Sequence, residues 1–268
     1  MKEPEVLKQN TGLVFIHIPK TGGTSIQQTI MSWVGREQSA THIESYSEAD
    51  RNSLGNRRFI SGHIYYDEVR KLPFSKTFKL AVVFREPYAR LSSALQMIDR
   101  FSQPENTTQL AAHPNDLVRE AAAKIVDVDF KNPEQLALFL EDMLGLGLTT
   151  LNNIQTRFMG CERKLKNTDL SPDGLHVAIQ NLAAIDFIGT IDKIDQFVGQ
   201  IASEFGQQPP LSVMHANSSA SSEWAQGRSI DHNDPDIREA MAPQIDQDLE
   251  LYAHVLEVIS ARKKHELQ

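Results

Sequence analysis

A short apolar run, GLVFIHI at residues 12–18, leads through Pro19-Lys20-Thr21-Gly22-Gly23-Thr24-Ser25 into SIQQTIMSWV at 25–34. This order constrains the fold more than any other feature of the chain. The run is rich in β-formers and does not alternate with polar residues, so it reads as a strand buried on both faces. Ile26, Ile30, Met31 and Val34 then recur close to helical spacing. Strand, glycine turn and helix in succession are the unit from which parallel α/β sheets are built.

The same pattern recurs downstream. FKLAVVF at 78–84 predicts a central parallel strand, and Pro87 opens a helix carrying Leu91, Ala94, Leu95 and Ile98, on whose exposed face Arg90 is expected. FISGHIYY at 59–66 and AIDFIGTI at 184–191 read as further strands, and helices are expected over 116–126, from 132 through Leu144, over 192–205 and over 234–261, the last split at Pro243. The expectation is one α/β domain over 1–268 with a central parallel sheet flanked by helices. Residues 1–11 form a polar tail, 101–130 is the candidate lid or acceptor insertion, and the Ser-rich 211–230 is either disordered or a ligand-closing loop.

Composition narrows the partners. Asp plus Glu number 35 against 27 Lys plus Arg, a formal charge of -8, so no global positive field gathers nucleic acid, and a phosphate site must be local. The single cysteine, Cys161, has no partner for an internal disulfide and no zinc spacing around it, which fits a reducing, cytoplasmic setting. No apolar run reaches the ~18 residues of a membrane span.

Two motifs carry chemistry. In the first, Gly22 and Gly23 let backbone N–H groups wrap an anion at a helix N-terminus, Lys20 adds a full charge, and Thr24 and Ser25 add hydroxyls. Lys20 precedes both glycines, so this is not the Walker A order, and a plain capped turn accounts for the same residues. In the second, Phe84-Arg85-Glu86-Pro87-Tyr88-Ala89-Arg90-Leu91-Ser92-Ser93, Arg85 leaves the end of a buried strand, where open α/β sheets bind ligands. A guanidinium there needs an anion, either a phosphate or a carboxylate such as Glu86.

Together, IHIPKTGGTS and VVFREPYARLSSAL resemble the two nucleotide signatures of PAPS-dependent sulfotransferases, nearest to the heparan sulfate 2-O- and 6-O-sulfotransferases and their bacterial relatives. The similarity continues through SGHIYYDEV, LNNIQTRFMG, DFIGTIDKIDQF, HANSS and DLELYAHV. It implies a P-loop-like three-layer fold and transfer of a sulfuryl group from PAPS to a hydroxyl of a saccharide or other small alcohol, without a metal. By the resemblance Lys20 stabilises the leaving oxygen, and Thr21, Gly22, Gly23, Thr24 and Ser25 cradle the 5′-phosphate. Arg85 and Ser93 hold the 3′-phosphate. His63 aligns with the base of the 2-O enzymes, with Glu86 and Asp67 as rivals, while His17 is expected as a core residue. Asn217 and Ser218 would close over the nucleotide, Gln155 or Arg157 would face acceptor or cofactor unless that segment is simply a solvated helix face, and the Arg57-Arg58 pair is either an acceptor contact or plain surface. An ATP-dependent small-molecule kinase and a non-catalytic nucleotide-binding protein remain as alternatives.

Overall fold

The computed structural model describes residues 12–113, 115–161, 172–208, 213 and 228–266. Among them five strands, β1 (Leu13–Ile16), β2 (Ser39–Ala40), β3 (Phe59–Gly62), β4 (Lys79–Phe84) and β5 (Phe187–Thr190), form one sheet in the order β2-β3-β1-β4-β5. Every pairing is parallel. The helices are α1 (Gly23–Val34), α2 (Glu48–Asn52), α3 (Tyr66–Lys71), α4 (Pro87–Phe101), α5 (Thr107–Ala111), α6 (Asp116–Ile125), α7 (Pro133–Gly145), α8 (Ile154–Gly160), α9 (Pro172–Asn181), α10 (Ile194–Glu204), α11 (Pro235–Met241) and α12 (Asp246–Glu266).

Side chains alternate across the sheet as the pleat requires. Val14, Ile16, Ile60, Leu80, Val82 and Phe84 face a layer made by α3, α8, α9 and α12. Leu13, Phe15, Phe59, Ala81 and Val83 face α1 and α10. Three layers result, and β1 lies at the middle with all four residues buried, which is why its sequence reads as an unbroken apolar run.

A third apolar cluster is built mainly from helices. Leu91, Leu95 and Ile98 of α4 pack with Val118, Ala121, Ala122 and Ile125 of α6, Leu136 and Leu140 of α7, and Ile237 and Met241 of α11. Within 101–130, α6 is therefore a packed wall. Asp99, fully buried on α4, pins the returning chain by accepting from Arg228 Nη2 at 2.6 Å and Nε at 2.9 Å. The C-terminal helix breaks where Pro243 predicts, into α11, a 3-10 turn over Ala242–Gln244 and α12. The strand expected over 59–66 is shorter, since Tyr65 caps α3, where Glu68 returns to its N–H. No described helix is long and apolar enough to cross a membrane.

The strand order places the site. From β1 the chain crosses to the outer strand β2, whereas from β4 it runs the other way to β5. Neighbouring strands whose connections diverge leave a crevice beyond their carboxyl ends. The loops after β3, β1 and β4 meet there, and they hold His63, Lys20 and Arg85.

Candidate anion site

The loop after β1 owes its shape to three local devices. Lys20 and Gly22 both have left-handed backbones, φ 71° and 83°, a conformation that glycine adopts at no steric cost and lysine does not. Thr21 is fully buried, and its hydroxyl donates to the Ile18 carbonyl at 3.0 Å, so it braces the turn from inside. Gly23 is required by space, because a Cβ there would lie 2.0 Å from Cδ2 of His17. Gly22 is the N-cap of α1 and offers no side-chain oxygen, and the first turn carries no acidic residue. The first turn itself thus supplies no counter-charge to the positive end of the helix. Thr24 and Ser25 are half-buried beside it.

Cations converge on this loop. The Lys20 ammonium has no hydrogen-bond or ion-pair partner among the described residues, and burial together with Arg100, Arg85 and Arg90 lowers its pKa to about 8. Arg85 is half-buried, and its Nη1 donates to the Lys20 carbonyl at 3.2 Å. Burial lowers its pKa, partly offset by Glu86. Glu86 is not its ion-pair partner: one carboxylate oxygen caps α4 by accepting from the Ala89 N–H at 2.7 Å, and the other lies 4.0 Å from Arg238.

Arg90 corrects a sequence expectation. It is fully buried, with Nη1 donating to the Thr150 carbonyl at 2.8 Å while Nε and Nη2 have no partner among the described residues. Burial lowers its pKa to about 10, with Asp248 acting in the opposite sense and Arg85 reinforcing it. The apolar stripe of α4 predicts the face that meets the helical cluster. It carries no signal that the 149–151 turn and α12 cover the other side. Ser93 is half-buried and shares one stripe of α4 with Arg90 and Arg100, at spacings of three and seven. Arg100, whose buried Nε is also unpartnered among the described residues, was not singled out by the sequence.

At the end of β3, His63 Nδ1 lies 2.7 Å from the His17 carbonyl. A carbonyl only accepts, so Nδ1 carries the hydrogen and the neutral ring keeps its lone pair on Nε2. The two imidazoles lie 4.3 Å apart between centroids, and His17 also stacks on Phe15. Burial, then His63, His42 and Lys20, lower the His17 pKa to about 3, so this ring is a neutral core group. Glu44 is a second residue missing from the sequence reading. Its Oε2 accepts the His63 backbone N–H at 2.9 Å in space that a Cβ on Gly62 would take, 2.4 Å away. Burial alone would raise its pKa, but the backbone N–H groups of Glu44 and His63, the His63 ring and His42 outweigh it and hold the group below its ordinary value. Among described residues the non-glycine positions with positive φ are Lys20, His42 and Asn153. One lies in the anion loop, one beside Glu44 and one at the start of α8, and strain of this kind gathers at functional sites.

The remaining sequence-singled residues separate. The Gln155 amide is occupied by the backbone of Arg85, accepting from its N–H at 2.9 Å and donating to its carbonyl at 3.0 Å. Arg157 is buried and bonds Asn152 through Nε at 2.9 Å and Nη2 at 2.6 Å. Asp67 pairs with Lys71 at 3.0 Å on α3. Arg57 reaches the Glu37 carbonyl and Arg58 lies over the Phe205 ring. Asn217 and Ser218 lie outside the described residues. A groove of about 450 Å³ beside β5, lined by Phe187, Gln196, Gln200 and Arg262 among others, contains none of the cation cluster.

No family model matches the chain, and no curated protein matches it.

Proposed function

We propose that the protein is a sulfotransferase of P-loop-like fold that moves a sulfuryl group from PAPS to an acceptor hydroxyl, on a carbohydrate or another small alcohol. One observation carries the reading. A chain of net charge -8 gathers Lys20, Arg85, Arg90 and Arg100 around an uncapped helix N-terminus, with no carboxylate within ion-pair distance of any of them among the described residues. Concentrating cations without an ion-paired carboxylate in an acidic protein is costly, and a multiply charged anion offsets that cost. The resemblance of the two motifs directs the choice among such anions to one bearing phosphates at both ends of an adenosine.

The donor supplies an activated sulfuryl group whose departure leaves charge on the bridging phosphate oxygen. The protein's part is positioning and electrostatics. Lys20 meets the developing charge, assisted by the N–H groups at the start of α1. Arg85, with Ser93 two turns along α4, holds the 3′-phosphate. His63 Nε2 takes the proton from the attacking hydroxyl, and Glu44 offers a negative charge beside the imidazolium that forms. The acidity of the chain favours a small acceptor over a polyanionic one, and the lone Cys161, unpaired and half-buried, accords with a cytoplasmic setting.

The test is transfer of labelled sulfate from PAPS to a panel of small saccharides and alcohols by the wild type, Lys20→Ala and His63→Ala. Lys20→Ala loses on the order of 10²-fold or more in rate, while His63→Ala loses rate with PAPS affinity nearly intact. Full activity in Lys20→Ala contradicts the assignment.

A further inference from the structure

We infer that Gln155, itself anchored by the buried carboxylate of Asp248, is the positioning residue that sets where Arg85 presents its guanidinium. This rests on the reading of Arg85 as the 3′-phosphate ligand.

β4 ends at Phe84, which pairs with Thr190 at the end of β5. One residue further on, Arg85 has left the ladder, and its peptide groups need partners from elsewhere. Gln155 supplies both at once: its amide oxygen accepts the Arg85 N–H at 2.9 Å and its amide nitrogen donates to the Arg85 carbonyl at 3.0 Å. A side-chain amide thus stands in for a neighbouring strand and extends β4 by the one residue that matters for the site. At the other end of Arg85, Nη1 donates to the carbonyl of Lys20 at 3.2 Å. The residue is held at its backbone and at its tip, between α8 and the anion loop.

Gln155 is itself fixed. It is fully buried, and it belongs to the first turn of α8, where backbone N–H groups have no helical partner. Asp248, also fully buried, takes these up: Oδ1 accepts the Thr156 N–H at 2.7 Å and its hydroxyl at 2.9 Å, and Oδ2 accepts the Gln155 N–H at 3.3 Å. Burial raises the Asp248 pKa, opposed by Arg90 and by these hydrogen bonds. The start of α12 is locked to α8 in return, with the Asp248 N–H donating to Asn153 Oδ1 at 3.0 Å and Asn153 Nδ2 donating to Asp246 at 2.8 Å. The NNIQTR segment and the DQD at the head of α12 therefore act on the anion site without touching the anion.

The experiment compares the affinities of adenosine 3′,5′-bisphosphate and adenosine 5′-phosphate by calorimetry, in the wild type, Arg85→Ala, Gln155→Met and Thr156→Val. Methionine keeps the volume of glutamine and makes neither hydrogen bond. Gln155→Met lowers the preference for the bisphosphate about tenfold, the scale of one hydrogen bond to a charged group, and leaves 5′-phosphate affinity unchanged. Thr156→Val removes one link to Asp248 at constant shape and moves the same ratio in the same direction by a smaller factor, which keeps the test decisive should Gln155→Met not fold. Equal weakening of both nucleotides, or an unchanged ratio, overturns the inference by reducing Gln155 to a structural prop. An unchanged ratio in Arg85→Ala overturns the functional reading itself, and this inference with it.

Discussion

The depressed pKa of Lys20 leads to a binding experiment that needs no knowledge of the acceptor. Burial and three neighbouring arginines place it at about 8, so its charged fraction falls from about nine-tenths at pH 7 to about one-tenth at pH 9. A bound anion reverses the balance and holds the lysine protonated. Nucleotide phosphates are already fully ionised above pH 7, so over this window affinity follows the charged fraction. The Kd of adenosine 3′,5′-bisphosphate should rise about tenfold between pH 7 and pH 9. At pH 8 binding should take up about half a proton, seen as a dependence of the calorimetric heat on the ionisation enthalpy of the buffer. The stability of the unliganded protein runs the other way. Because the folded pKa lies below the unfolded one, the unfolded chain binds more protons from pH 8 upward, and stability rises with pH through that range until the unfolded lysine has also titrated. Opposite trends of affinity and stability in one window separate this mechanism from general alkaline loosening. Lys20→Arg keeps its charge and should flatten the affinity profile. A Kd unchanged from pH 7 to pH 9, with no proton uptake, would refute the placement of Lys20 in the anion site.

Glu44→Gln keeps an acceptor for the His63 N–H but removes the charge, so kcat should fall and the acidic limb of its pH profile should move to lower pH with nucleotide affinity unchanged; an unmoved limb removes Glu44 from the proton transfer. Gly23→Ala drives a Cβ into the His17 ring, pinned between Phe15 and His63, and should cost about 2 kcal/mol in urea denaturation together with nucleotide binding. Asp99→Ala should cost about 2 kcal/mol by removing the buried acceptor of the Arg228 hydrogen bonds while leaving nucleotide affinity intact, which would show that the helical cluster supports the fold rather than the anion.

The parts of the molecule legible in the sequence are those decided within a few residues of chain. β1 and β4 are buried on both faces, so each appears as an apolar run, and the loop between β1 and α1 declares itself through Gly22 and Gly23. β2 is illegible because two residues cannot display a period, and the strand exists only through its pairing with β3. Arg90 shows the same limit within the site. Its burial is decided by Thr150 and Asp248, 60 and 158 positions away, while its own helix stripe points elsewhere. The spacing of Arg90, Ser93 and Arg100 on one face of α4 was nevertheless present in the sequence as a signal. Gln155 illustrates the reverse case, a polar residue visible in a motif whose partner turns out to be a peptide group of β4's continuation. Glu44 is visible only through Gly62, whose missing Cβ makes room for the carboxylate.

Calorimetric titration of the wild-type protein with adenosine 3′,5′-bisphosphate, against ADP and against ATP with magnesium, tests the central claim most directly. Clear preference for the bisphosphate is the expected result. Preference for ATP, or no binding of any of the three, would contradict it.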